Sequence, residues 1–170
     1  MDFSNPEVRV QRVDVNQVVQ NTVEFVRPQN KYDHVEFELN LRGDLAPLDA
    51  DPGQLQQVFL NLFSNAADAL AGRPVDQRRI RVTSDWAESG RSVRVDVVDS
   101  GVGIPPGDLS RIFEPAFTTK PSGHGFGLST SYRIVANHRG RIEASNEPGG
   151  GARFTLVLPV AGSGPPAPAG

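Results

Sequence analysis

The chain has 170 residues, 38% of them hydrophobic and 22% charged, with a formal net charge of -3; that suffices for one globular domain with its own core and lacks the basic footprint of a nucleic-acid binder. It contains no cysteine, which excludes disulfides, thiolate-held zinc and thiol nucleophiles. No apolar run approaches the roughly 18–20 residues that span a bilayer, and Met1 to Pro6 has neither the basic region nor the apolar core of a signal peptide. The expected location is therefore cytoplasmic, with any membrane anchor lying outside this segment.

Residues 1–7 read as a flexible start. Val8 to Val13 alternates like a short strand. Asp14 is placed to cap a helix, with Gln17 in the capping-box position and Pro28 marking the exit. Val15, Val18, Val19, Thr22, Val23 and Val26 form its apolar face. Val35 to Leu41 alternates strictly and predicts a half-buried strand, and Leu45 to Leu48 a short one.

Asp51-Pro52 is an N-cap followed by proline at the first helical position, and Ala71-Gly72 then Arg73-Pro74 is a stop. Between them Leu55, Val58, Phe59, Leu62, Phe63, Ala66 and Leu70 make a buried stripe. Gln57, Asn61, Asn65 and Asp68 follow one another at steps of four, four and three, so they share one side of this helix. That side is either a solvated face or a row of amide oxygens turned toward a metal and a phosphate chain.

Arg79 to Trp86 and Ser92 to Val98 predict a hairpin about Glu88 to Arg91. Its second strand stops at Asp99-Ser-Gly101-Val-Gly103-Ile104. This is either a plain turn or a tight backbone bend that approaches a flat ligand, with Asp99 taking a donor such as an adenine amino group. Leu109 to Phe113 is expected to add one helical turn. Glu114 to Phe126, with Pro115, Pro121, Gly123 and Gly125, predicts a mobile loop. Phe113 and Phe117 would anchor it, and Lys120 either reaches a terminal phosphate or is a solvated lysine.

Gly123-His124-Gly125-Phe126-Gly127-Leu128 runs directly into a helix, where alternating glycines expose N–H groups able to hold phosphate. Leu128, Tyr132, Ile134 and Val135 are its expected apolar face. Arg141 to Ser145 and Arg153 to Leu158 close the fold about a Glu147-Pro-Gly-Gly-Gly151 turn. Residues 160–170, rich in Pro, Ala and Gly, read as a flexible tail or linker after a domain at 8–159. Helices mixed with hairpins predict an α+β two-layer sandwich: a mixed, mostly antiparallel sheet of about five strands, three main helices on one face, and a mobile lid.

Taken together, four segments in this order resemble the catalytic, ATP-binding domain of bacterial sensor histidine kinases in the GHKL superfamily, most nearly the nitrogen- and oxygen-sensing type. Gln57 to Ala69 matches the N box, Asp99 to Gly103 the first glycine box, Phe113 to Phe117 the F box and Gly123 to Leu128 the second glycine box. The resemblance implies that Asn65 ligates Mg²⁺ and that Asn61 lies beside the triphosphate of ATP. Asp99 would receive the adenine amino group in a pocket shaped by Gly101, Gly103 and Ile104. Phe113, Thr119, Lys120, Gly123, His124, Gly125, Phe126, Gly127 and Leu128 would form the lid and phosphate cradle. Asp68 would support the metal's water shell or serve only solubility.

By the same resemblance, gyrase-, chaperone- and mismatch-repair-type relatives carry a glutamate where Asn61 stands. An amide cannot act as general base, so transfer to an imidazole rather than hydrolysis is expected. Ala116 replaces a second F-box aromatic, and His124 and Phe126 replace the commoner Thr and Leu. None of His34, His124 and His138 has a phosphoacceptor context. The expected partners are therefore a separate dimerisation and phosphoacceptor domain and a response-regulator receiver domain, with the isolated segment monomeric. The rival readings are a GHKL ATPase, an anti-sigma serine kinase, and a degenerate nucleotide-binding or docking module.

Overall fold

The computed structural model describes residues 9–115 and 127–162. Their order is β1 (Gln11–Val13), α1 (Val15–Val26), β2 (Glu36–Leu41), β3 (Leu48–Ala50), α2 (Pro52–Leu70), β4 (Arg79–Ala87), β5 (Ser92–Asp99), α3 (Gly127–Asn137), β6 (Arg141–Asn146) and β7 (Ala152–Pro159). Five strands form one sheet in the order β2-β4-β5-β7-β6, parallel between β2 and β4 and antiparallel elsewhere. β1 and β3 make a separate antiparallel pair. The three helices and mixed sheet are the expected α+β architecture.

Local chemistry accounts for the helices. Asp14 caps α1 by accepting from the Asn16 N–H at 2.9 Å, and the six predicted apolar-face residues are all buried. Asp51 caps α2 through the Gly53 and Gln54 N–H groups at 2.9 and 3.2 Å, with Pro52 at the first position, where its missing N–H costs nothing. The other Asp51 oxygen accepts the Arg9 N–H at 2.9 Å. Burial works to raise its pKa, but these three donors hold the carboxyl below its ordinary range.

α2 is the centre of the core. Its seven predicted apolar residues and Ala67 are all buried. Phe63 lies edge-on to Phe37 at 5.6 Å and tilted against Phe59 at 6.1 Å. The alternation of β4 and β7 turns Ile80, Val82, Phe154 and Leu156 into the same core. On the opposite sheet face an alternating row links Arg94 to Asp96 (2.9 Å), Asp96 to Arg153 (3.1 Å) and Arg153 to Glu147 (2.9 Å).

Three expectations change. The single helical turn after the first glycine box falls at Pro106–Asp108, not at 109–113, which is turn; Pro106 favours the start of such a turn. On α3 the buried residues are Ser131, Ile134 and Val135, while Tyr132 is 51% exposed. A small hydroxyl residue there lets α3 approach α2. The short strand expected over Leu45 to Leu48 falls instead at Leu48–Ala50. The His138 Nε2 accepts the Asp51 N–H at 3.1 Å and its Nδ1 donates to the Ile134 carbonyl at 2.8 Å, which ties the end of α3 to the start of α2.

Candidate functional site

α2 carries Gln57, Asn61, Asn65 and Asp68 along the side that borders the start of α3. Asn61 is fully engaged. Its Nδ2 donates to the Gly127 carbonyl at 3.0 Å and to Ser131 Oγ at 3.1 Å, and its Oδ1 accepts from Gln57 Nε2 at 2.8 Å. Ser131 in turn donates to the Gly127 carbonyl at 2.9 Å. The amide therefore pins Gly127 at the start of α3, a helix whose dipole suits an anion at its N-terminus.

Asn65, one turn further, is half-buried, and its amide has no hydrogen-bond partner among the described residues. An unengaged amide oxygen on a rigid helix is a fitting single ligand for a hard divalent cation, which takes the rest of its shell from phosphate oxygens and water. Among the described residues no three His, Asp or Glu side chains gather in a metal-holding group. The Asp68 carboxylate lies 3.0 Å from Lys31 Nζ, and that ammonium also donates to Ser64 Oγ at 2.6 Å.

The floor of the site comes from the end of β5. Asp99 is only 3% exposed. Its Oδ1 accepts the Gly101 N–H at 2.8 Å and the Ala152 N–H at 3.3 Å, which leaves Oδ2 without a bond to any described residue. Burial pushes its pKa up, and the two N–H donors offset that only in part. Gly101 packs so closely on α2 that a Cβ would sit 2.6 Å from the Ala69 carbonyl oxygen. Gly103 has φ +82°, a conformation glycine adopts without strain. Ile104 is half-buried against the core.

Several positioning residues were not singled out from the sequence. Asn146 at the end of β6 clamps Ile104 with both amide atoms: Oδ1 accepts the Ile104 N–H and Nδ2 donates to its carbonyl, each at 2.7 Å. Ser100 accepts the Arg79 N–H at 2.9 Å and donates to the Gln77 carbonyl at 2.6 Å. Gly151, at φ +95°, lies against the Asp99 carbonyl where a Cβ would collide. The Gly149-Gly150-Gly151 run signals a turn, but contacts across 21 or more residues leave no local pattern.

Phe113 packs on Tyr132 at 5.6 Å and edge-on to Phe154 at 6.2 Å, which gives the exposed Tyr132 ring a partner. Gly127 opens α3 and is exposed, and Leu128 is half-buried against the core. Ala116, Phe117, Thr119, Lys120, Gly123, His124, Gly125 and Phe126 lie outside the described residues. The structure thus brings together Asn61, Asn65, Asp99, Gly101, Gly103, Ile104, Gly127 and Leu128 around α2 and the ends of β5 and β6.

Comparison with known proteins agrees with this geometry. A family model described as histidine kinase-, DNA gyrase B-, and HSP90-like ATPase matches residues 50–162. The signal transduction histidine-protein kinase AtoS of Escherichia coli (strain K12) is 37% identical over 161 residues, 94% of this chain and 26% of that protein. Full-length ShkA, solved in complex with AMPPNP, superposes with a TM-score of 0.77 at 28% identity, covering 92% of this chain and 32% of that one. The histidine kinase ThkA, solved in complex with the response regulator protein TrrA, gives a TM-score of 0.74 at 25% identity, covering 89% and 42%. The chain spans about a quarter of the length of AtoS.

Proposed function

This chain belongs to the histidine kinase-, DNA gyrase B-, and HSP90-like ATPase family, and we propose that it is the ATP-binding catalytic domain of a two-component sensor kinase. It would bind Mg·ATP and present the γ-phosphoryl to a histidine on a separate dimerisation and phosphoacceptor domain. A response-regulator receiver domain would take the phosphoryl next; the ThkA neighbour, solved in complex with the response regulator protein TrrA, supports a partner of that kind.

The observation that carries this reading is the bond from Asn61 to the Gly127 carbonyl, 66 residues away in sequence. It sets the amides of α2 against the N-terminus of glycine-led α3, while the turn after the acceptor Asp99, at the end of β5, packs on the far end of α2. Asn65 would ligate Mg²⁺, which neutralises phosphate charge when bound. Asp99 Oδ2 would accept from the adenine amino group, with Gly101, Gly103 and Ile104 around the base. The main-chain N–H groups at Gly127 and Leu128 would receive phosphate oxygens. Lys120, Thr119, Gly123, His124, Gly125 and Phe126 would complete the cradle as the lid.

Asn61 separates transfer from hydrolysis. Its Nδ2 is spent on donors' work toward Gly127 and Ser131, and an amide has no basic lone pair with which to take a proton from water. Catalysis is then a matter of positioning and charge neutralisation. The test is calorimetric titration with Mg·ATP together with a phosphate-release assay. Micromolar-range binding with negligible release supports a phosphotransfer domain. Sustained hydrolysis supports an ATPase, and binding without any transfer to an offered histidine supports a docking module.

A further inference from the structure

We propose that Lys31 is a positioning residue of the nucleotide site, whose ammonium cancels the Asp68 carboxylate and leaves the α2 ridge receptive to a polyphosphate. The proposal rests on the reading of Asn61 and Asn65 as the nucleotide-facing amides. It begins from a conflict on that ridge. Asp68 stands one turn beyond Asn65 on the same side of α2, so their Cβ atoms are about 5–6 Å apart. That is inside the Debye length of about 8 Å at physiological ionic strength. An uncompensated carboxylate there would repel the triphosphate that Asn65 is to help hold.

Lys31 answers this from another part of the chain. It lies in the single turn Asn30–Tyr32 between α1 and β2, and its Nζ reaches both Asp68 Oδ1 at 3.0 Å and Ser64 Oγ at 2.6 Å. Ser64 and Asp68 flank Asn65 in sequence and sit one above the other on the helix. The turn itself is anchored by the buried Tyr32, whose ring lies 6.0 Å from Phe37. The ammonium is thus delivered by a fixed segment rather than by a free surface side chain. With side chains 40% and 34% exposed, the pair adds little to folding. Its charge nevertheless decides what the neighbouring amides face.

The experiment is calorimetric Mg·ATP binding by wild type, Lys31→Met, Asp68→Asn and the double variant, at low and high KCl, with thermal midpoints recorded for each. Lys31→Met is expected to weaken binding roughly fivefold at low salt, with the loss shrinking at high salt. The double variant is expected to return to within about twofold of wild type, because removing the carboxylate removes the need for its counter-charge. A brace that merely holds the turn would lower the thermal midpoint without that rescue. Wild-type affinity in Lys31→Met at low salt, or no recovery in the double variant, overturns the proposal. If wild type itself fails to bind Mg·ATP, the underlying nucleotide reading fails instead.

Discussion

Replacing Asp99 with asparagine is the most informative single change, because it separates recognition of the base from stability of the fold. Asparagine keeps an oxygen where Oδ1 accepts from Gly101 and Ala152, so the turn at the end of β5 survives. Its NH₂ replaces Oδ2, and an amide donor would then face the adenine amino donor. The loss is one hydrogen bond to a charged group, about 1.5–3 kcal/mol, or a roughly 10- to 150-fold weaker Kd for Mg·ATP.

Stability should move the other way. Burial raises the folded-state pKa of Asp99 above its unfolded value, so folding favours the protonated form more than the unfolded chain does. That contribution is fully present below the unfolded-state carboxylate pKa and lost as pH rises through the raised folded value. At neutral pH the buried charge is a cost, and asparagine removes it. Calorimetry should therefore show weakened ATP binding in a variant that melts no lower than wild type at pH 7. Inosine triphosphate, with a carbonyl acceptor in place of the amino group, should lose far less. ATP affinity within twofold of wild type in a folded Asp99→Asn variant would refute the assignment of the adenine site.

The other predictions follow from the same residues. Asn65→Ala should remove the gain in ATP affinity that Mg²⁺ confers while leaving cooperative unfolding intact; titration with and without Mg²⁺ reads this directly. Asn61→Asp replaces a donor with a carboxylate facing the Gly127 carbonyl and Ser131. It should cost about 1–3 kcal/mol by chemical denaturation, mostly through the start of α3. Phe63→Ala, which empties a fully buried position between Phe37 and Phe59, should cost about 3–5 kcal/mol. Tyr32 is pushed up to about 12 by burial and then by Asp68. Its contribution to stability is complete below about pH 10 and lost as pH rises toward 12. Phenolate absorbance should show one of the two tyrosines ionising only there, together with unfolding.

Helix α2 was legible from the sequence almost to the residue, because its signals are local: a capping aspartate, a proline that costs nothing at the first position, an apolar stripe and a glycine-proline stop. The hairpin of β4 and β5 was legible for the same reason. The parallel pairing of β2 with β4 and the separate β1–β3 pair were not, since strand partners are chosen by packing across the whole chain. On α3, spacing alone is compatible with Tyr132 in the core. The close approach set by the Asn61–Ser131 bond instead turns Ser131 inward and leaves Tyr132 against Phe113.

The candidate site divides along the same line. Asn61, Asn65, Asp99 and the glycines stand out because polar and flexible residues interrupt apolar patterns there. Asn146, Ser131 and Lys31 leave no such trace. Each is an ordinary polar residue in its own segment, and its role exists only through a partner more than 30 residues away: Ile104, Asn61 or Asp68. Asp68 shows how far this matters. Its place on the helix suggests the metal site, while its carboxylate is held by a lysine that precedes β2.

Transfer in trans tests the central claim most directly. The chain is mixed with a histidine-kinase phosphoacceptor domain offered in trans and γ-labelled Mg·ATP, and acid-labile, base-stable phosphate on that domain is followed over time. The account predicts label on the acceptor histidine that depends on both the chain and Mg²⁺, is lost with Asn65→Ala, and is accompanied by little free phosphate. Rapid release of free phosphate with no label on the acceptor would contradict it.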